Sequence, residues 1–389
     1  MFKAVAGYYK DNERLRLLVK IIAVWLISRV VMLLMVPVMN LIADEPHQWL
    51  YYMNPWDAEW YKGIVENGYQ PPKSSGMASW AFFPLYPLVC MAVRLVTMGS
   101  IDTYAVGMTV SNICIIIAVY YAVKYADIEL DMKKYNKKIV EDIIIFLMLA
   151  GPFAVYYGAM YTEALFILCV ILCFYNSARH NYMAAGIAAA MASATRIVGC
   201  MLVFVLITYM FMETCAECRA KHNSEMKDNK EAGIIDKCML TEEAGILIAG
   251  NISLASVIRT FIKNVIKEPK KLVAIMISPL GIFIYMNYLR YFCGDSWAFY
   301  HVQRAWRTQK MFPVIGVLFK SCTGQLSAAS GVKTLNGIIL GWLCVITLML
   351  YAAMIRKKHY ALGIFGIIVL LIPLTSSVMS TLRFIREIH

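Results

Sequence analysis

The chain has 389 residues, 60% of them hydrophobic and only 16% charged, with a mean hydropathy of +0.61. A soluble protein of this length carries about a quarter of its residues as charges, and several apolar runs here exceed the roughly 18 residues that cross a bilayer, so a water-soluble globular fold is excluded. A β-barrel would show alternating segments of about ten residues rather than long runs, which leaves an all-α polytopic integral membrane protein.

The net charge of +12 suggests nucleic acid only until the charges are placed. Lys3, Lys10, Arg14, Arg16 and Lys20 sit at the first apolar run, Lys124, Lys133, Lys134, Lys137 and Lys138 lie between two runs, and Arg356, Lys357 and Lys358 lie between the last two. Cytoplasmic loops accumulate positive charge and meet anionic lipid head groups in this way, so no nucleic-acid partner is expected. Most cysteines fall in apolar runs, Cys90, Cys114, Cys169, Cys173, Cys200 and Cys344 among them, where Cys acts as a small hydrophobe. Cys215, Cys218, His222 and Cys238 match no standard zinc spacing, so no metal ligand is assigned.

In chain order, Leu17 to Met39 predicts a first span that is retained as an anchor, its N-terminus cytoplasmic by charge. Residues 44–104 then form an outer loop. It carries WDAEWY at Trp56–Tyr61, a GY pair at Gly68 and Tyr69, and AFFPLYP at Ala81–Pro87. Ala81 to Thr97 is apolar but holds Pro84, Pro87 and Arg94, and laying it flat as an interfacial helix puts every later basic loop inside. Spans follow at Ala105–Val123, Ile139–Tyr157 and Tyr161–Ala178. Tyr182 to Met212 is too long for one span and is expected to break at Gly199 into a hairpin whose tip, carrying Arg196, faces outward. Residues 213–271 read as a cytoplasmic insertion with an amphipathic helix over Ala244–Ile262. Spans at Leu272–Tyr291, Leu335–Ile355 and Tyr360–Met379 complete about nine crossings in a single domain of 1–389, with a second outer loop at 292–332. This places 24 of the 37 Lys and Arg residues inside, 12 outside and Arg29 within a span.

One membrane face thereby collects Asp57 and Glu59, Glu163, Arg196, the loop holding Asp295, Gln303, Arg304 and Trp306, and Arg383. Carboxylates beside arginines suit a reaction in which an acceptor hydroxyl loses a proton while a phosphate departs: one carboxylate is the base and an arginine fork steadies the leaving group. Trp56, Trp60, Tyr61, Phe83 and Tyr86 are candidates for stacking on sugar rings. The ordinary readings are an interfacial helix cap for Asp57, a helix-dipole partner for Glu163, snorkelling for the arginines and an aromatic belt for the rings.

With its WDA at Trp56–Ala58, the GY at Gly68 and Tyr69, FFPLYP at Phe82–Pro87 and YTE at Tyr161–Glu163, the chain resembles the PIG-V-type mannosyltransferases of the glycosyltransferase C superfamily. The loop at Gly294–Trp306 and the late Ser380 and Arg383 look like features of its prokaryotic branch, as does Trp60, where eukaryotic members tend to carry histidine. The resemblance implies a glycosyltransferase C-like helical bundle in the plasma membrane. It implies inverting sugar transfer on the extracytoplasmic side from a polyprenyl-phosphate donor to a lipid-linked, glycan or protein acceptor. Asp57 would be the base, Glu163 an auxiliary acid or acceptor ligand, and Arg196, Arg304 and Arg383 phosphate partners. Some relatives use a divalent metal and others do not; no residues here indicate one. A lipid-linked saccharide flippase would want the same outer-face residues but also internal repeats, and none is found; a noncatalytic subunit of a glycosylation complex is the third reading.

Overall fold

The computed structural model describes residues 12–42, 48–54, 56–74, 76–130, 134–151, 154–231, 253–305, 314–325 and 334–374. Among the described residues the secondary structure is helical throughout, with no strand. In chain order the helices are α1 (Glu13–Ile42), α2 (Trp49–Met53), α3 (Ala58–Asn67), α4 (Leu85–Val96), α5 (Thr103–Glu129), α6 (Lys137–Leu149), α7 (Ala154–Gly158), α8 (Glu163–Ala178), α9 (Tyr182–Thr195), α10 (Leu202–Glu231), α11 (Leu254–Lys267), α12 (Pro269–Ile277), α13 (Leu280–Cys293), α14 (Ala298–His301), α15 (Val314–Cys322), α16 (Thr334–Arg356) and α17 (Tyr360–Leu374).

Local chemistry sets many of these limits. The Asp102 side chain accepts from the backbone N–H groups of Tyr104 and Ala105 and starts α5, and Asn136 does the same for α6 through Lys138 and Ile139, each satisfying donors that a helix leaves orphaned at its N-terminus. Pro269 stands in the first turn of α12, where its missing N–H costs nothing. Gly294, at φ 77°, ends α13 in the left-handed conformation.

Among the described residues four helices are long and apolar enough to cross a membrane: Glu13–Leu41, Thr103–Glu129, Ile197–Ser224 and Gly337–Arg356. The broken pair α12 and α13 adds a fifth if it counts as one span. Leu85–Val96, Glu163–Ala178, Tyr182–Thr195 and Tyr360–Ile372 are apolar but shorter; at 1.5 Å per residue they reach only about 18–24 Å, against roughly 30 Å of hydrocarbon. On α1, Leu26, Ile27, Val31 and Leu34 are all exposed, as befits a helix with a lipid-facing side.

One expectation changes and two are sharpened. Ile139–Tyr157 is not one helix: α6 stops at Leu149 and α7 begins at Ala154, across Gly151 and Pro152, where proline lacks a donor and restricts the residue before it. The composition shift at Glu213 does not interrupt the backbone, since α10 runs on to Glu231. The amphipathic helix expected over Ala244–Ile262 lies partly outside the described residues, and helix is found over Leu254–Lys267. The break near Gly199 is present: α9 ends at Thr195 and a 3-10 turn covers Ile197–Met201. A Cβ on Gly199 would collide with the Ala192 carbonyl, so the turn closes only around glycine.

The chain divides into two compact units. Unit 1 holds Met1–Tyr175, Ala188–Cys200 and Pro279–Gln309; unit 2 holds Asn176–Ile187, Met201–Ser278 and Lys310–His389. In unit 2, Val317, Cys344, Tyr351, Leu370 and Leu374 form a core. Elsewhere in that unit the buried Lys271 ammonium pairs with Glu213 at 3.0 Å and Glu268 at 2.9 Å, while the Tyr182 hydroxyl donates to Glu213 at 2.8 Å. Unit 1 contains the described candidate site residues.

Candidate functional site

The WDA segment enters α3 with its backbone under constraint. Trp56 has φ 52°, a left-handed conformation uncommon outside glycine and held only where surroundings enforce it. The enforcement is visible on both sides of it. Asn54, buried, donates from Nδ2 to the Leu50 carbonyl at 2.8 Å and accepts from the Met160 N–H at 2.7 Å. The Asp57 N–H donates to the Tyr161 hydroxyl at 3.1 Å. Asp57 stands at the N-cap position of α3, yet among the described residues its side chain makes no capping hydrogen bond.

These bonds pin the WDA turn to the segment that opens α8. There Glu163, 1% exposed, meets Arg196 at 3.1 Å, and the Arg196 guanidinium lies 5.8 Å from the centre of the Phe166 ring. Tyr61, one turn into α3, is buried among Phe82, Tyr86 and Tyr161, its hydroxyl 3.4 Å from that of Thr162. Burial pushes the Tyr61 phenol far above its usual range; the charges of Glu163 and Asp57 add to this and Arg196 opposes it. The phenol therefore stays protonated and available as a donor beside both acids.

Glu59 takes a hydrogen bond from the Tyr104 hydroxyl on α5, a tether between helices. The Trp60 ring stacks on Phe82 at 5.7 Å with the Lys73 ammonium 4.7 Å from its centre. Trp56 is 70% exposed and stacks on Tyr156 of α7, so it presents a ring face to solvent. Phe83 and Tyr86 do not: both are in the core, with the Tyr86 hydroxyl donating to the Gly107 carbonyl at 2.8 Å, which leaves neither ring open to a sugar.

The GY pair also has a backbone explanation. Gly68 ends α3 at φ 71°, ψ −172°, a region essentially closed to residues with a Cβ. That turn sends Tyr69 back to donate to the Phe82 carbonyl at 2.7 Å, which also accepts from Tyr285 of α13 at 3.2 Å. Tyr285 further donates to the Trp80 carbonyl at 2.8 Å, and Phe83 packs on Tyr285 and Phe299. The segment from Tyr285 to Phe299 is thereby packed onto residues 69–83 within unit 1. In it, Asp295 accepts from the Trp297 N–H at 2.9 Å and lies 2.7 Å from His301 Nδ1; the His301 contact holds the Asp295 carboxyl below its usual value. Gln303 and Arg304 occupy the 3-10 turn Val302–Ala305, with Gln303 half-buried. Trp306 and Arg383 lie outside the described residues.

The structure therefore brings together Asp57, Tyr61, Glu163 and Arg196, with Trp56, Glu59 and Trp60 around them. It adds Asn54, Tyr161 and Thr162, which sequence reasoning passed over: Tyr161 and Thr162 sat inside the YTE motif, and Asn54 two residues before it opened the WDA motif. Among the described residues no three His, Cys, Asp or Glu side chains come together.

Residues 15–230 match the family model for mannosyltransferases of the PIG-V type, more than half of the chain. The chain belongs to the PIG-V mannosyltransferase family. No curated protein and no solved structure matches it at a significant level. Membership suggests a multi-pass membrane glycosyltransferase, with a lipid-linked sugar donor and a glycan acceptor. The matched span includes the WDA, GY, FFPLYP and YTE motifs, whereas the Asp295 loop and Arg383 fall beyond it.

Proposed function

We propose that this chain transfers a hexose, mannose by its family, from a polyprenyl-phosphate carrier to an acceptor hydroxyl at the extracytoplasmic face of the plasma membrane, with inversion. Asp57 is the general base. It takes the acceptor proton as the acceptor oxygen bonds to the sugar's anomeric carbon, and the opposite carbon–oxygen bond breaks with its electron pair leaving on the phosphate. The observation that carries this reading is the position of Asp57 at the entry to α3, its N–H donating to the Tyr161 hydroxyl on the segment that holds the buried Glu163–Arg196 pair.

The remaining residues take roles around that step. The exposed ring of Trp56 offers a sugar platform, with Trp60 beside it. Glu163 and Arg196 neutralise each other and serve to hold the Tyr161–Thr162 segment, which argues against Arg196 as the partner of the leaving phosphate. The bundle is read as glycosyltransferase C-like, of the prokaryotic branch, with nine crossings and residues 213–271 cytoplasmic.

The test is Asp57→Asn in purified, folded protein supplied with polyprenyl-phosphate mannose and a membrane-derived acceptor. Loss of a general base lowers transfer by ~10²–10⁴-fold, with thermal stability unchanged. Full activity in the variant would remove Asp57 from the mechanism.

A further inference from the structure

An arginine inside a membrane helix is costly unless its charge is met. Arg29 lies within α1, in the candidate span Glu13–Leu41. Its Nη1 donates to the Ala154 carbonyl of α7 at 3.1 Å and to the Met32 sulfur at 3.0 Å. Its Nε and Nη2 are buried and have no hydrogen-bond partner among the described residues. Those two nitrogens form the side-on edge of the guanidinium, whose parallel N–H bonds match two oxygens of one phosphate. The group that is satisfied is the one outside this fork.

The surroundings are made for the guanidinium. A Cβ on Gly158 would run into Arg29, so the glycine is what lets the guanidinium lie on the backbone at the end of α7. Asn112 fixes that backbone from the other side, donating from Nδ2 to the Gly158 carbonyl at 3.3 Å while its Oδ1 accepts from Trp25 Nε1 at 2.8 Å. The chain then leaves helix from Ala159 to Thr162. Irregular backbone at membrane depth occurs where it is covered by protein or lines a cavity. This same short helix carries Tyr156, on which Trp56 stacks at 6.2 Å, and leads directly to Met160 and Tyr161, which hold Asn54 and Asp57. Arg29 and the WDA turn thus both contact the α7 segment, Arg29 from within a candidate span.

Resting on the transferase reading above, we infer that Arg29 is an anion-binding residue that receives the phosphate of a lipid, its Nε and Nη2 taking two phosphate oxygens. Both nitrogens of the fork are buried beside the α7 backbone.

The experiment uses full-length protein in nanodiscs of neutral phosphatidylcholine. Polyprenyl monophosphate and, separately, phosphatidylglycerol are titrated in, and binding is read by native mass spectrometry and by the shift in melting temperature. Wild type should bind polyprenyl monophosphate, and Arg29→Gln should weaken binding tenfold or more. Gly158→Ala, which keeps the charge but crowds the guanidinium, should weaken binding as well, and with Arg29→Lys it carries the test if Arg29→Gln does not fold. Equal affinity in wild type and Arg29→Gln, or in Gly158→Ala and Arg29→Lys, overturns the inference. Arg29-dependent binding of phosphatidylglycerol alone keeps the lipid-phosphate site and counts against the polyprenyl-phosphate donor. No Arg29-dependent binding of either lipid overturns the inference while leaving the Asp57 assay to decide the transferase reading.

Discussion

The contact between Glu163 and Arg196 is a buried ion pair, and such pairs behave asymmetrically under mutation. Desolvating two charges cancels most of their attraction, so the intact pair adds little net stability, whereas removing one partner strands the other. Glu163→Gln should therefore destabilise the protein by about 3–5 kcal/mol, and Glu163→Gln combined with Arg196→Met should recover much of that loss. Thermal unfolding in detergent reads the stability, and sugar transfer by the same samples reads the chemistry. A double variant that is stable and fully active would assign the pair to packing alone. Residue identity singled out Glu163 and Arg196 in the sequence, because an acid and an arginine in apolar runs are conspicuous by cost, but not their pairing. The same logic misplaced Phe83 and Tyr86, which are aromatic like Trp56 but point into the core. It also passed over Asn54 and Tyr161, since a neutral amide or phenol carries no such cost signal until its hydrogen-bond partner is seen.

At the scale of elements, α3 is tied at both ends. Glu59 takes the Tyr104 hydroxyl near its start, and near its end Glu66 accepts from Thr103 at 2.6 Å, from Lys62 at 3.0 Å and from Arg94 of α4 at 3.4 Å. Burial raises the Glu66 pKa, but the hydrogen bonds from Thr103 and Lys62 and the charges of Lys62 and Arg94 outweigh it, so the carboxyl titrates below its usual value. A carboxylate depressed in the folded state contributes stability above its unfolded pKa, about 4.3, and loses it as pH falls through the folded value. Melting temperature should thus drop below pH ~4 in wild type, with a smaller part of that drop in Glu66→Gln; identical pH profiles would detach Glu66 from the clamp. The break at Gly199 was legible because thirty apolar residues are too many for one span and too few for two. The interruption at Gly151 was missed because apolar content alone does not distinguish one span from a helix, a gap and a five-residue turn. The helix start within residues 213–271 fits a charged segment, since charged residues change composition without ending a helix, and α10 runs on to Glu231.

For the whole molecule, the membrane class follows from composition, but the number of crossings depends on what the short helices do. Four or five segments cross by length alone, while the proposed nine crossings require Glu163–Ala178, Tyr182–Thr195 and Tyr360–Ile372 to span as well, together with the interrupted α6–α7 run. Helices of about 20 Å do so only if their non-helical ends are covered by neighbouring chain. The tight joins in unit 1 supply such cover. A Cβ on Gly281 would collide with the backbone of Ala190 and Ala194, so α13 lies directly against the end of α9 where Arg196 begins the turn. The two counts differ in which loops share a side, and labelling separates them. With nine crossings and a flat α4, a cysteine introduced at Lys73 should react with an impermeant maleimide in intact cells, and one at Lys134 should react only after lysis, each measured against the native cysteines of the parent. Labelling of Lys134→Cys in intact cells would mean that α4 crosses the membrane. The loop between α5 and α6 would then be external, and the count of nine crossings with a flat α4 would be overturned.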